Sequence, residues 1–179
     1  MPVTFEDRDV VSIIEPDSTG GTYFISEERA PRALVALEVR SGSRIDAVTP
    51  IYRELRSDGG MGEEISGPRF GGQGGTLRLL EKSGYVIVGI GFRLAKGRKP
   101  TIRTVELNVI WQRWTASGPD GNDQDRSPNL GTANGGAGSD GAPREVVALN
   151  GSVAIGIHGF SGSEIDRLSL ITARPVVTT

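Results

Sequence analysis

At 179 residues the chain can bury a core of its own within one domain. It has no cysteine, which excludes disulfide frameworks and thiolate metal centres, and its one histidine, His158, would carry any zinc site or Ser-His-Asp triad alone. A formal net charge of −2 gives no electrostatic reason to expect nucleic acid as a partner, and no apolar run approaches the ~20 residues that span a bilayer.

The opening "MPVTFEDRDVV" lacks the basic and apolar regions of a secretory signal, so a cytoplasmic or non-classically secreted protein is expected. "ISEERAPRALVALEV" could begin as a helix, but Pro31 interrupts it and a strand pattern follows at once. In "ALVALEVR" the alternation puts Val35, Leu37 and Val39 on one face. "YVIVGIGFRL" aligns Val86, Val88, Ile90, Phe92 and Leu94, and "TVELNVIW" aligns Val105, Leu107, Val109 and Trp111. "REVVAL", "SVAIGI" and "RLSLITA" behave alike, and Asn150-Gly151 between the first two predicts a type I′ hairpin turn. The 26 glycines cluster beside these short runs, as tight turns between strands would require. The chain therefore reads as all-β: a sandwich, barrel or prism. Residues 117–143, "SGPDGNDQDRSPNLGTANGGAGSDGAP", carry almost no apolar residue and are expected to form a flexible surface insertion within a single domain spanning 1–179.

Several motifs have only ordinary readings. "FGGQGG" is followed by a strand pattern and lacks the Gly-Lys-Ser/Thr of a phosphate loop. Glu63 and Glu64 are neighbours that point to opposite faces of a strand, a poor acid–base pair. Trp111, Trp114 and His158 fit strand packing at least as well as ligand contact. A less ordinary feature is a repeat: "SGSRIDAV" around Gly42–Asp46 and "SGSEIDRL" around Gly162–Asp166. Asp46 and Asp166 could be glycosidase carboxylates, although an Asp closing a turn most often caps it.

Taken together, "LEVRSGSRIDAVTPIY", "FGGQGGTLRLLEKSGYVIVGIGF", "SGPDGN" and "GIHGFSGSEIDRLSL" stand in an order that resembles the jacalin-related lectins. The resemblance implies a β-prism: three four-stranded Greek-key sheets about a pseudo-threefold axis. It also implies a non-enzymatic, metal-independent protein without cofactor that binds glycans. Two sites follow from it. In one, Ser43 and Arg44 supply backbone N–H groups, Asp46 the carboxylate and Gly72 the facing loop. In the other, Ser163, Glu164 and Asp166 take those roles, facing "DSTGG", where Ser18 stands at the position of an approaching glycine. The third repeat shows no Gly-x-x-x-Asp, so no third site is expected. Galactose-preferring members are cut in the N-terminal loop, whereas "EPDSTGG" is continuous here, which implies mannose- or glucose-containing glycans as partners. The alternative function is a β-prism protein-interaction or assembly module with silent sugar loops, and either reading allows a homo-oligomer.

Overall fold

The structure, a computed structural model, describes residues 2–13, 20–96, 102–132 and 142–177. Among them there is no helix, and three antiparallel sheets account for the strands. The chain opens with β1 (Val3–Val10) and β2 (Thr22–Glu27). It then builds one whole sheet from β3 (Arg32–Ser41), β4 (Ile45–Leu55), β5 (Met61–Ser66), β6 (Phe70–Gly71) and β7 (Thr76–Glu81). A second sheet follows from β8 (Tyr85–Lys96), β9 (Ile102–Thr115), β10 (Gly118–Arg126), β11 (Leu130–Gly131) and β12 (Arg144–Val147). β13 (Val153–Ser161) and β14 (Ile165–Val177) then return to β2 and β1, giving the order β1-β14-β13-β2.

Each sheet is organised on one long hairpin: β3–β4, β8–β9 and β13–β14. The three hairpins share their irregularities. A register shift falls at Leu34/Ala36, Ile87/Gly89 and Ala154/Gly156, and a second at Arg40/Ser41, Arg93/Leu94 and Phe160/Ser161. This recurrence is the pseudo-threefold symmetry of a β-prism, and the expected all-β prism is the fold observed.

The first of these shifts also corrects the expected faces. An extra residue in one strand moves every side chain beyond it to the other face. Thus Leu37 and Val39 join the main core cluster, while Val35 joins a second cluster with Ala33 and Ala36. Likewise Ile90, Phe92 and Leu94 lie in the main core, but Val86 and Val88 belong to the second. β9 carries no extra residue between Leu107 and Trp111, and Leu107, Val109 and Trp111 face the main core together, as predicted. Val105, expected on the same face, is instead the extra residue at the second shift and is not in that cluster.

Two further expectations change. Asn150-Gly151 does make a tight turn, with Ser152 N–H donating to the Leu149 carbonyl at 2.8 Å and Gly151 at φ +84°. Yet β12 and β13 belong to different sheets, so the turn is a corner between sheets and not a hairpin.

The segment 117–143 is not an excursion over its first half. Gly118–Arg126 is a strand at the edge of β9, and Leu130 packs against the core. Polar composition misleads there because an edge strand is held by backbone bonds and its side chains pair along the surface. Arg113 meets Asp123 at 2.6 Å, Lys82 meets Asp125 at 2.6 Å, and Gln112 donates to Gln124 at 2.9 Å. Residues 133–141 lie outside the described part.

Candidate functional site

The two repeated motifs form the same turn twice. Gly42 N–H donates to the Arg44 carbonyl at 3.1 Å, and Gly162 N–H donates to the Glu164 carbonyl at 3.0 Å. In each, the isoleucine is fully buried in the main core, at Ile45 and Ile165, and so fixes the turn from below. The aspartate that follows is left nearly covered, Asp46 at 6 % and Asp166 at 7 % exposure, while Gly42, Ser43, Gly162 and Ser163 at the tips are exposed. Apolar anchor, buried carboxylate and bare turn backbone are thus set within five residues.

Each carboxylate stands against a glycine. Gly75 has φ +74°, and a Cβ there would lie 2.7 Å from Asp46 Oδ2 and 2.8 Å from Ser41 N. Gly21 also has φ +74°, and a Cβ there would overlap Asp166 Oδ2 and lie 2.9 Å from Ser161 N. Only glycine meets both the left-handed backbone and the lack of space. The two arrangements are equivalent, since Ser41 and Ser161 occupy the same place in their hairpins.

The predicted role of Gly72 needs correction. Its N–H donates to the Asp46 carbonyl at 2.9 Å, but its α-carbon lies against Ser163 of the other motif, where a Cβ would collide with the carbonyl oxygen. The glycines that face the Asp46 carboxylate are Gly74 and Gly75. Ser18 lies outside the described residues, whereas Gly21 of the same loop is placed against Asp166.

Arg44 and Glu164, expected to contribute backbone alone, also use their side chains. They occupy the one position at which the two pentapeptides differ, and Arg44 Nε meets Glu164 Oε2 at 2.6 Å. The same nitrogen is 3.5 Å from Asp46 Oδ1, and Arg103 reaches Glu164 at 3.9 Å. Thr104 Oγ1 donates to the Asp166 carbonyl at 3.2 Å, and Thr132 Oγ1 to the Ser43 carbonyl at 3.4 Å. The loops therefore adjoin at one end of the prism and brace one another.

The surroundings of Asp166 act on its charge. Burial first, then the nearby Glu164 charge, push the Asp166 carboxyl up to about 6, against a smaller opposing pull from Arg167. In the third hairpin, Leu94↔Thr104 corresponds to Ser41↔Ile45, so Val105 stands where the other two carry aspartate. It is fully buried and offers no acceptor.

The remaining candidates are structural. His158 is buried with its Nε2 2.7 Å from the Val11 carbonyl and Nδ1 3.1 Å from Tyr23 OH. Because a carbonyl can only accept, Nε2 carries the proton and Nδ1 accepts from the phenol. Trp111 and Trp114 are buried and donate to the carbonyls of Val35 and Arg56, at 3.2 and 2.9 Å.

By sequence alone the chain matches no family profile and no curated protein. Its fold is that of the jacalin-related lectins. The mannose-binding jacalin-related lectin AcmJRL from Ananas comosus superposes with a TM-score of 0.65 at 19% identity, covering 95% of this chain and 98% of that one. Frutapin, a lectin from Artocarpus incisa, gives 0.65 at 16% identity over 87% and 91%. A mannose-specific jacalin-related lectin from Morus nigra in complex with mannose gives 0.61 at 14% identity over 87% and 89%.

Proposed function

We propose that this protein is a non-enzymatic, metal-independent carbohydrate-binding protein with two sites, centred on Asp46 and Asp166, for mannose or glucose units. The observation that carries the reading is the duplicated arrangement of a nearly buried carboxylate, a glycine with no room for a side chain, and an exposed turn. A hexose presents vicinal hydroxyls that donate and accept together. An aspartate accepts from two of them with charge-assisted strength, and turn N–H groups at Ser43–Arg44 or Ser163–Glu164 donate back. Glycines against the carboxylate let backbone approach the sugar where any side chain would intervene.

Further support comes from the neighbours of the same fold, among them artocarpin in complex with mannotriose. Among the described residues no three His, Asp or Glu side chains gather as a metal site would need. Each aspartate stands on its own hairpin and has its own facing glycine from a separate loop, which suits two binding sites better than an acid–base pair across one bond.

Calorimetric titration with methyl α-mannoside tests the reading. A single site should bind at about 1 mM, or ~−4 kcal/mol, and Asp46→Asn with Asp166→Asn together should abolish the heat. A branched mannan should compete far better per sugar, because two sites engage one ligand. Inhibition by galactose and not mannose would overturn the sugar assignment, and absence of glycan binding by the intact protein would overturn the function.

A further inference from the structure

Arg40 lies on β3 just before the second register shift, and its guanidinium reaches the glycine loop. Nε–H donates to the Gly74 carbonyl at 3.1 Å and Nη2–H to the Gly75 carbonyl at 3.2 Å. These are the two residues packed against the Asp46 carboxylate, where a Cβ on Gly74 would be 3.0 Å from Oδ1. The loop Gly71-Gly72-Gln73-Gly74-Gly75 has no apolar side chain to tie it to the core, and glycine loses more freedom on ordering than any other residue. A planar fork that grips two consecutive carbonyls supplies the missing constraint, which a point charge cannot reproduce.

The other hairpins provide an internal comparison. Arg40↔Ala47 corresponds to Phe160↔Arg167 and Arg93↔Glu106. Phe160 carries no donor; its ring takes the Arg167 guanidinium at 4.0 Å and Tyr23 at 5.4 Å between centroids. Arg93 donates to Glu106 at 2.9 Å, in the hairpin where Val105 replaces the aspartate. Among the described residues, a fork onto two glycine carbonyls is seen at Arg40, in the hairpin that bears Asp46.

We propose that Arg40 is the positioning residue of the Asp46 site: it holds the Gly74–Gly75 backbone at the carboxylate and makes this the stronger of the two sites. The proposal rests on the carbohydrate-binding reading above. The test uses the full chain with Asp166→Asn, so that one site reports. In that background Arg40→Ala should weaken methyl α-mannoside about tenfold, the loss of two charge-assisted bonds at the site, and Arg40→Lys should recover only part of it. Amide hydrogen exchange at Gly74, Gly75 and Thr76 should accelerate in Arg40→Ala while exchange in β3 and β4 stays unchanged, which a general loss of stability would not produce. Affinity within about twofold of the Arg40 parent, or unchanged loop exchange, overturns the proposal. If the parent itself binds no glycoside, the carbohydrate reading falls, and the exchange comparison alone decides whether Arg40 holds the loop.

Discussion

Asp166→Asn should stabilise the fold at neutral pH while removing one binding site. The Asp166 carboxyl is raised to about 6 from an ordinary value of 3.8, chiefly by burial and then by Glu164. At 1.36 kcal/mol for each pH unit, holding it ionised at pH 7 costs about 3 kcal/mol. The sign follows from proton uptake. Between about 3.8 and 6 the native state holds a proton that the unfolded chain releases, so native stability falls as pH rises through that window. Below it both states are protonated and the penalty disappears. An asparagine never ionises, so the variant should melt higher than the parent at pH 7 by about 6–12 °C for a chain of this size, and the gap should close near pH 4. Thermal unfolding followed by circular dichroism at pH 7, 5.5 and 4 measures this. A difference between the two proteins that does not change with pH would refute the reasoning, because a packing effect of the amide has no such dependence. Equal melts at pH 7 would refute it as well.

Asp46→Asn should weaken sugar binding by about 1.5–3 kcal/mol at its site and by more in total than Asp166→Asn, as read by calorimetric titration of each variant. Arg44→Glu and Glu164→Arg should each perturb the joined turns, and the exchanged pair should restore binding; a double-mutant cycle should return no more than about 1 kcal/mol, since the Arg44 side chain is 40% exposed. Gly75→Ala should lose mannoside binding at Asp46 and cost at least about 1 kcal/mol in denaturant unfolding, because the left-handed backbone and the Asp46 and Ser41 contacts oppose it together.

The long strands are legible in the sequence because their apolar alternation spans eight or more residues and their turns are marked by glycine. The register shifts are harder to see, since an inserted residue leaves the alternation intact on either side. Their one signal is a small residue at the resumption point in each hairpin, Ala36, Gly89 and Gly156. At Gly156 a Cβ would collide with the Ser26 carbonyl, so the small residue is a steric demand. β10 is hidden for a different reason: its stability comes from backbone bonds and ion pairs with β9 and its surroundings, which hydrophobic pattern does not report. At the candidate site, the aspartates and turn residues stand out through repetition. Which glycine meets which carboxylate does not, because "GGQGG" offers four candidates and only the path of the loop distinguishes Gly72 from Gly75. The pairing of Arg44 with Glu164 is legible in retrospect as opposite charges at one repeated position.

The two candidate sites also differ in when they can come into being. All five strands of the sheet bearing Asp46 lie between Arg32 and Glu81, an uninterrupted stretch. The sheet bearing Asp166 joins Val3–Val10 and Thr22–Glu27 to Val153–Ser161 and Ile165–Val177, so two of its three pairings, β1–β14 and β2–β13, close loops of more than a hundred residues. Contacts that distant form late and slowly, whereas a contiguous sheet can assemble as soon as its own residues are available. During synthesis the Asp46 loops can therefore take shape on a nascent chain whose early strands still wait, unpaired, for partners about 130 to 170 residues downstream.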